Sequence, residues 1–529
     1  MARLPLIGGA YSARWVGANA QRAINLYPEN NPKGISPVPM THYQRPGLVP
    51  LGSTNQGGDF SSDFSSDFSQ GNSNYSFLSV GRGIYSASNG AGYCVIGQNV
   101  FYISPSWNLT HIGTLIVNGT NMVSMIDNGT NILLVDGSIY GYTINLATNT
   151  FAQYVDSTGT FVGSTRVDII DGFIVGNILG TNLFFSTLNN VLTIDPTYVA
   201  AKNNYPGPIV TMGVSRRQIL LLGNFKSEIW YDAGNQLFPF AELPGASIEH
   251  GCVATYSWAT EDINAYWLGQ DLQGAGIVFK QTGYNTLRVS NHALENAILT
   301  MIKTVGISDA VGYTYQQGGH VFYGLTFPAA NQTWVYDASV GDPNLAWHQR
   351  CWTDNNGNLN RDRVISVANL YGVNVGQDWQ YGTLYKLDRD TYTDTVNGVT
   401  GSISCIRTFP HILAGIGANP QNPVLGNALI ETEGKRVKFN NFIADIEVGD
   451  VPLDNSGGAG QVFLRVSLDR GKSFGEPVPM SLGNPGQFLT EPKWQVLGIG
   501  RDVVFELSYS AVGSVALNGA WVDVHVLNS

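Results

Sequence analysis

The chain is dominated by short apolar runs separated by glycine, asparagine and aspartate, a pattern typical of many short strands joined by tight turns. Two of these runs align without gaps, NGAGYCVIGQNVFYI at residues 89–103 and NGTNILLVDGSIYGY at residues 128–142. Each contains Asn-Gly, an apolar strand, a glycine-containing turn and a second strand that ends in aromatic residues. The two runs start 39 residues apart, close to the roughly 40–45 residues of a four-stranded propeller blade.

Weaker copies of this pattern follow along the chain, at residues 171–188, 216–234, 265–289, 318–339 and 371–388. Seven candidate units therefore lie between residue 75 and about residue 400. An isolated hairpin buries too little apolar surface to be stable, so repeated hairpins stack or close into a ring. We predict an all-β fold in which residues 75–404 form a β-propeller of six or seven blades.

The two ends of the chain differ from this repeat. Residues 1–74 are predicted to form an extended arm with a low-complexity loop, because six prolines fall between residues 24 and 50. The run GDFSSDFSSDFSQGNSNYSF at residues 58–77 is interpreted as an exposed loop, with a partner-binding tip as the alternative. Alternating strands after residue 405 predict a β-sandwich-like domain over 405–529, and residues 291–305 carry the best helix pattern, with Asn291 as its cap.

Composition narrows the function classes. The chain has 28 Lys and Arg against 39 Asp and Glu, a formal charge of −11, which disfavours gripping a phosphate backbone. The four cysteines are far apart in the sequence and are predicted to be isolated buried thiols, not a zinc site or a disulfide framework. The N-terminus lacks the apolar run of a secretory signal and no stretch of about 18 apolar residues occurs, so neither export nor membrane insertion is expected.

One motif has a known relative in enzymes. Ser467, Asp469, Gly471 and Phe474 in SLDRGKSFGEP match the Ser-x-Asp-x-Gly-x-Ser-Phe spacing of the Asp-box hairpin found in sialidases. Asp469 is expected to accept hydrogen bonds from backbone N–H groups, Gly471 to adopt a positive φ, and Phe474 to anchor the returning strand in a core. Sialidases repeat the box once per blade, whereas this chain shows one clear copy, so a structural hairpin is predicted.

Other catalytic signatures fail on inspection. DRGKS resembles the end of a phosphate-binding loop, but Val466 occupies the position of the required glycine. Residues 354–362 (DNNGNLNRD) resemble a calcium loop, yet Leu359 replaces its glycine and no glutamate closes it, so a polar inter-strand loop is favoured. No two of the eight histidines are close in sequence and no GxSxG occurs. We therefore predict no catalytic, cofactor-binding or metal-binding residues, and no enzyme activity.

Several stretches in order along the chain resemble the packaged-DNA stabilisation proteins, also called tail accessory factors or tail nozzle proteins, of short-tailed bacteriophages. They are NAQRAINLYPENNPKGISPVPMTHYQRPGL, GNFKSEIWYDAGN with ASIEHGCVATYSW, VYDAS to AWHQRCW, FLRVSLDRGKSFGEP, and WQVLGIGRDVVFELSYSAVGSVALNGAWVDV. The Asp-Phe-Ser-Ser insertion departs from that resemblance.

The resemblance implies a structural virion protein of the tail, assembled in the host bacterial cytoplasm. In that family several copies, typically six, form a ring below the portal and its adaptor, extend the DNA channel and help retain packaged DNA until ejection. The implied partners are further copies of the chain, portal-adaptor proteins, and tail needle, fibre or spike proteins, with DNA only as transiting cargo. Two alternatives stay open: a carbohydrate-binding or carbohydrate-cleaving propeller of a phage fibre, and a scaffold or adhesion propeller unrelated to phages.

Overall fold

The structure is a computed structural model, which describes residues 1–52, 79–156, 158–188, 191–205, 207–236, 238–261, 263–413, 436–453 and 458–527. The low-complexity run at residues 58–77 and its predicted role lie outside these residues.

The N-terminal segment forms seven short strands within described residues 1–52, several of which pair with distant parts of the chain. They are β1 (Ala2–Pro5), β2 (Tyr11–Ser12), β3 (Ala20–Gln21), β4 (Ala23–Ile24), β5 (Leu26–Asn30), β6 (Met40–Gln44) and β7 (Gly47–Pro50). Their proline-rich sequence limits each strand to five residues or fewer. Leu26, Met40 and Leu48 are nonetheless buried, so the segment packs as an integral part of the molecule.

Seven sheets, each built mainly of antiparallel strands, follow in chain order within the described residues from 81 to 402. The first sheet contains β8 (Gly81–Ser86), β9 (Gly92–Ile96), β10 (Asn99–Ile103) and β11 (Leu109–Thr114). The second contains β12 (Ser124–Asp127), β13 (Asn131–Val135), β14 (Gly141–Asn145) and β15 (Phe151–Tyr154). The third contains β16 (Val167–Ile170), β17 (Phe173–Asn177), β18 (Leu183–Leu188) and β19 (Val191–Ala201). The fourth sheet contains β20 (Thr211–Ser215), β21 (Gln218–Leu222), β22 (Ser227–Asp232) and β23 (Phe240–Ile248). The fifth contains β24 (Gly251–Cys252), β25 (Ala259–Glu261), β26 (Asn264–Asp271), β27 (Gly274–Thr282) and β28 (Asn285–Arg288). The sixth sheet is built on β29 (Val311–Gln317), β30 (His320–Phe327), β31 (Gln332–Asp337), β32 (Trp347–Thr353) and β33 (Leu359–Arg361). The seventh is built on β34 (Val364–Leu370), β35 (Val373–Asp378), β36 (Leu384–Asp388), β37 (Thr393–Val396) and β38 (Val399–Ser402).

The seven sheets close into a ring. Strand β34 of the last blade packs against β8 of the first, and Gln377 joins the two blades through its amide. Its Nε2 donates to the Val95 carbonyl at 3.0 Å, and its Oε1 accepts from the Gly83 N–H at 2.8 Å. The predicted all-β propeller is confirmed, and the described residues form seven blades of it.

The two aligned sequence repeats became equivalent strands. Residues 89–103 contain β9 and β10, and residues 128–142 contain β13 and the start of β14, which are the second and third strands of blades one and two. These strands are mostly apolar because both faces of a middle blade strand are covered by neighbouring blades. Val95 and Leu133, for example, are fully buried. The sequence repeat therefore coincides with the most buried strands of each blade.

One α-helix, α1 (His292–Thr304), lies between the fifth and sixth blades in the described chain. The Asn291 side chain accepts from the Leu294 N–H at 2.8 Å, which is the predicted cap. Leu294, Ile298 and Met301 are buried, so the helix covers the propeller with one apolar face.

The described residues after 402 form eight further strands: β39 (Cys405–Thr408), β40 (Ile412–Leu413), β41 (Val437–Ile446), β42 (Gln461–Ser467), β43 (Val478–Ser481), β44 (Lys493–Gly500), β45 (Asp502–Tyr509) and β46 (Leu517–Val526). One sheet has the order β44-β41-β46-β6-β5, with β1 beside β46, and the other runs β4-β39-β45-β42-β43. Rings from the two sheets meet in a shared core, where the centroids of Phe442 and Phe505 are 4.9 Å apart. This packing is a β-sandwich.

Strand pairing crosses both predicted boundaries, 74/75 and 404/405. Strands β1, β5 and β6 belong to the sandwich, whereas β7 belongs to the seventh blade. Strand β4 pairs with β32 of the sixth blade and with β39 of the sandwich, so it joins two sheets into one. The N-terminal segment is therefore shared between the propeller and the sandwich.

Candidate functional site: the arm clasp and the Asp-box hairpin

The N-terminal segment supplies the fourth strand of the seventh blade. Strand β7 pairs antiparallel with β36, with Leu48 opposite Leu387, and parallel with β37 through Asp394. Gly47 is required at the entry of β7, because a Cβ there would lie 2.4 Å from the carbonyl oxygens of Thr391 and Thr393. Residues near the start of the chain thus complete the sheet that closes the ring.

A buried ion pair fixes this strand. The Arg45 guanidinium, 2% exposed, donates to both carboxylate oxygens of Asp394, with an Nη1–Oδ1 distance of 3.0 Å. Arg45 also donates to Asn25 Oδ1 at 3.0 Å and to the Cys351 carbonyl at 3.2 Å. Burial alone would lower the pKa of Arg45, but the Asp394 carboxylate outweighs it and the pKa is raised. The guanidinium therefore stays charged at the junction of segment, sixth blade and seventh blade.

A second buried arginine fixes the segment to the sandwich without a carboxylate. Arg407 on β39 donates to the carbonyls of Gly8 at 2.9 Å and Arg22 at 3.0 Å, and to Gln21 Oε1 at 3.0 Å. Burial lowers the pKa of Arg407 to about 9. Carbonyl dipoles of the segment are thus the main partners of this charge, and the segment must be in place for Arg407 to be solvated.

We call Asn25, Arg45, Leu48, Asp394 and Arg407 the arm clasp. The five residues are buried, and they come from the N-terminal segment, the seventh blade and the sandwich. Sequence reasoning did not find this site, because Arg45 and Asp394 are 349 residues apart in the chain. Its local signal was only an arginine and an asparagine in a proline-rich stretch, which is typical of surface loops.

The Asp-box residues form the turn between β42 and β43. Asp469 Oδ1 accepts from the N–H groups of Lys472 at 3.1 Å and Ser473 at 2.9 Å, while Oδ2 accepts from the Ser473 hydroxyl at 2.6 Å. The Ser467 hydroxyl donates to Asp469 at 2.7 Å and accepts from the Gly471 N–H at 2.8 Å. The Ser473 hydrogen bonds are the largest cause that lowers the pKa of Asp469, to about 2.

The structure differs from the expectation for Phe474. Its ring is half-buried, and the Arg465 guanidinium lies 5.3 Å from its centroid, so it packs against a surface cation and not in a core. Gly471 has φ +79°, as its position requires. A Cβ at Gly471 would also lie 2.8 Å from the Ala20 side chain, so glycine lets the hairpin approach the N-terminal segment.

The hairpin and the segment meet again nearby. His411 joins the segment to β45, with Nδ1 2.7 Å from Asp502 at the start of β45 and Nε2 2.9 Å from the Val16 carbonyl. The Arg470 guanidinium lies 5.9 Å from the Trp15 ring centroid. The Asp-box therefore holds a turn that packs on residues 15–20, and its carboxylate is already satisfied by its own backbone.

The stretch that resembles a calcium loop is a turn between two strands. The Asp354 carboxylate accepts from the N–H groups of Asn356 and Asn358, and this turn joins β32 to β33 as a polar inter-strand loop. Cys94, Cys252 and Cys405 are buried free thiols and Cys351 is half-buried. In the part of the chain that the structure describes, no three His, Cys, Asp or Glu side chains group as a metal site. Over the same residues, no helix is long and apolar enough to cross a membrane.

Comparison with solved structures returns other proteins of low sequence identity. The chain is similar to the extracellular domain of a one-component system, BT4673, from B. thetaiotaomicron (12% identity, 66% of this chain and 41% of that chain, TM-score 0.41). It is also similar to streptogramin B lyase (11%, 58% and 93%, 0.38) and to the WD40 β-propeller domain of Doa1 (10%, 65% and 96%, 0.37). The chain thus spans less than half of the B. thetaiotaomicron structure.

No curated protein matches the chain. A family model does: the phage stabilisation family, described as bacteriophage P22 Gp10, β-propeller, matches residues 71–392. That match spans more than half of the chain and confirms the family predicted from the resemblance. It also agrees with the seven-bladed ring that the structure shows between residues 81 and 402. The chain therefore belongs to the phage stabilisation family, the β-propeller proteins represented by bacteriophage P22 Gp10.

Proposed function

We propose that this chain is a structural subunit of a bacteriophage tail, a nozzle below the portal and adaptor that extends the DNA channel and helps retain packaged DNA until ejection. The family match over residues 71–392 is the observation on which the proposal rests. In the proposed assembly six copies form a ring. Its neighbours are the portal-adaptor proteins above, and needle, fibre or spike proteins around or below.

The arm clasp suits a subunit that must resist pressure from packaged DNA. The ring closes where the first and seventh blades meet, and the seventh blade is completed by β7 and fixed by the Arg45–Asp394 pair. Because β4 joins the sixth blade to the sandwich in one sheet, force on either unit is shared by both. These features support the proposal that the subunit is a rigid structural part of the tail.

The charge of the chain suits a channel for DNA. A formal charge of −11 repels phosphates weakly, so a polyanion slides past instead of binding. The proposed role is accordingly structural, with DNA as cargo.

A second candidate, binding of carbohydrate, is favoured by one pocket. A cavity of about 310 Å³ beside the seventh blade is lined by Trp352 and Tyr381 together with asparagine and threonine side chains, the aromatic and polar mixture that suits small polar ligands. Its two carboxylates are already engaged, Asp354 by its own turn and Asp394 by Arg45. Binding of host polysaccharide without cleavage is the form of this candidate that the geometry permits.

The test uses virions purified on a density gradient from an infected culture. Quantitative mass spectrometry against the portal protein is expected to give about six copies per portal ring, and antibody labelling is expected at the tail. Absence of the chain from purified particles would refute the tail role. Binding of host polysaccharide by the purified chain, lost in Trp352→Ala, would then favour the second candidate.

A further inference from the structure

A basic pocket lies beside the Asp-box hairpin. It has a volume of about 350 Å³, and its lining includes Trp15, Arg470, Lys472 and Arg501. Trp15 is 57% exposed, and Gly17 leaves room for its indole ring, since a Cβ on Gly17 would lie 2.7 Å from the ring. An exposed tryptophan held among cations is a surface suited to an acidic, apolar partner. We call this surface the Trp15 pocket.

The net charge of the Trp15 pocket is positive despite two carboxylates in its lining. Asp469 is held by the hairpin amides, and Asp502 faces His411 at 2.7 Å and Arg470 Nε at 3.6 Å. Within the described residues, no ion pair joins Lys472 or Arg501 to a carboxylate. Two exposed cations are thus available in a chain whose overall charge is −11.

A complementary surface lies in the turn between β43 and β44. Phe488 and Leu489 are 61% and 96% exposed, and Glu491 beside them is also exposed. The turn is held in shape by backbone hydrogen bonds, including Gln487 N–H to the Asn484 carbonyl at 2.9 Å. We call Phe488, Leu489 and Glu491 the acidic tip.

The two surfaces lie at opposite ends of the sandwich. The hairpin follows the end of β42 and the acidic tip follows the end of β43, which runs antiparallel to β42. Likewise Glu491 precedes β44 and Arg501 follows it. Eight residues of strand span about 26 Å, so one molecule cannot place its own acidic tip in its own pocket.

We propose that the acidic tip of one copy of this chain binds in the Trp15 pocket of the next, with Glu491 facing Lys472 and Arg501 and the apolar residues covering Trp15. The occupant is a second copy because this chain carries both the pocket and the complementary tip at opposite ends of the sandwich. A basic patch that meets an acidic one also offsets the repulsion between chains of charge −11. A contact between two different patches repeats head to tail and forms a ring when it closes. This contact specifies how neighbouring subunits of the proposed ring bind each other, and it rests on the proposed function.

Cysteine cross-linking of the full-length chain tests the contact. Lys472→Cys and Leu489→Cys are made as separate proteins, each with only buried or half-buried native thiols besides the new one. Mixed at micromolar concentration under mild oxidation, the two are expected to form a disulfide-linked dimer that neither forms alone. The control pairs Leu489→Cys with Val399→Cys, which is 56% exposed on the propeller, and is expected to give no dimer. Equal cross-linking in both mixtures, or none in either, would overturn the proposal.

Charge reversal gives an independent readout. Glu491→Arg is expected to weaken self-association at least tenfold in sedimentation velocity, and adding Arg501→Glu to the same chain is expected to restore most of it. An unchanged oligomer in Glu491→Arg would show that the acidic tip is not the contact. Absence of the cross-link between Lys472→Cys and Leu489→Cys, with the chain still at the virion tail, refutes this inference alone, whereas absence from virions refutes the proposed function.

Discussion

At the scale of single residues, the arm clasp depends on one buried charge pair. Asp394→Asn leaves the Arg45 guanidinium buried without its counter-charge, and we expect a cost of about 3–5 kcal/mol. The matched control is Asp171→Asn, which breaks a 2.8 Å pair with Arg217, a residue whose side chain is 81% exposed. Such exposed pairs contribute less than about 1 kcal/mol. Urea unfolding of both variants checks the difference, and equal midpoints would contradict a role for the pair.

The buried imidazole of His42 is expected to make the folded protein less stable in acid. Burial lowers its pKa to about 3, and its Nε2 donates to the Gly8 carbonyl at 2.8 Å. The unfolded chain therefore binds a proton near pH 6.5 that the folded chain refuses until about pH 3, so stability falls as the pH drops below 6.5. Between pH 7.5 and 5 this amounts to about 2 kcal/mol.

The measurement compares wild type with His42→Gln in urea at these two pH values. Other groups titrate in both proteins and cancel in the comparison, including His320, whose pKa is raised by its neighbouring carboxylates against the effect of burial. The variant is expected to lose less stability in acid than wild type. The same loss in both proteins would show that His42 does not titrate as proposed.

Asp469 gives a smaller effect than its sequence motif suggests. From sequence alone, unpaired backbone donors in Asp469→Ala predict a cost of about 1–3 kcal/mol. The residue is exposed, so water can replace the carboxylate, and the low end, about 1 kcal/mol, is expected. Hydrogen exchange at Lys472 and Ser473 should quicken about fivefold, whereas Asp469→Asn keeps an acceptor oxygen and should change less. Unchanged hydrogen exchange in Asp469→Ala would contradict a structural role for the motif.

At the scale of elements, local pattern revealed the blades but not the strands that close them. The repeats at 89–103 and 128–142 were visible because middle blade strands are buried on both faces and turn over glycine. Strand β7 was not visible, because it has four residues, ends in proline, and pairs with β36 more than 300 residues away. The Asp-box was found for the opposite reason: its hydrogen bonds all fall within seven residues.

Gly47→Ala tests whether β7 closes the propeller. The new Cβ would meet two carbonyl oxygens at 2.4 Å, so β7 must shift at a cost of about 1–3 kcal/mol. Faster hydrogen exchange is expected in β36 and β37, with blades two to four unchanged. Gly401→Ala, on the adjacent strand β38 with no atom within 4 Å of the new Cβ, is the control. If both variants exchange alike, β7 does not secure the seam.

In the folded protein as a whole, the N-terminal segment contributes strands to sheets of both the propeller and the sandwich, which the sequence predicts as separate units. The core of the sandwich includes Leu4 and Leu26 from the N-terminal segment as well as Phe505 near the C-terminus. Hydrophobic alternation in a single strand indicates that one face is buried, but it does not say which distant strand covers that face. Long-range partners such as β1 with β46 are therefore set by the assembled fold.

The charge of the whole chain leads to the last prediction, on DNA. Non-specific DNA-binding proteins bind duplex with Kd of about 10⁻⁴–10⁻⁶ M at physiological salt, and their affinity rises steeply at lower salt because released counterions drive it. A chain with 39 acidic against 28 basic residues has no such driving force, and we expect no fluorescence anisotropy change with a labelled 20-bp duplex at either 150 or 50 mM salt. Arg501→Glu, which removes a cation from the Trp15 pocket, is expected to behave identically. Binding that strengthens as salt is lowered, and is lost in that variant, would instead make the Trp15 pocket a DNA contact and would contradict both the passive channel and the docking of the acidic tip.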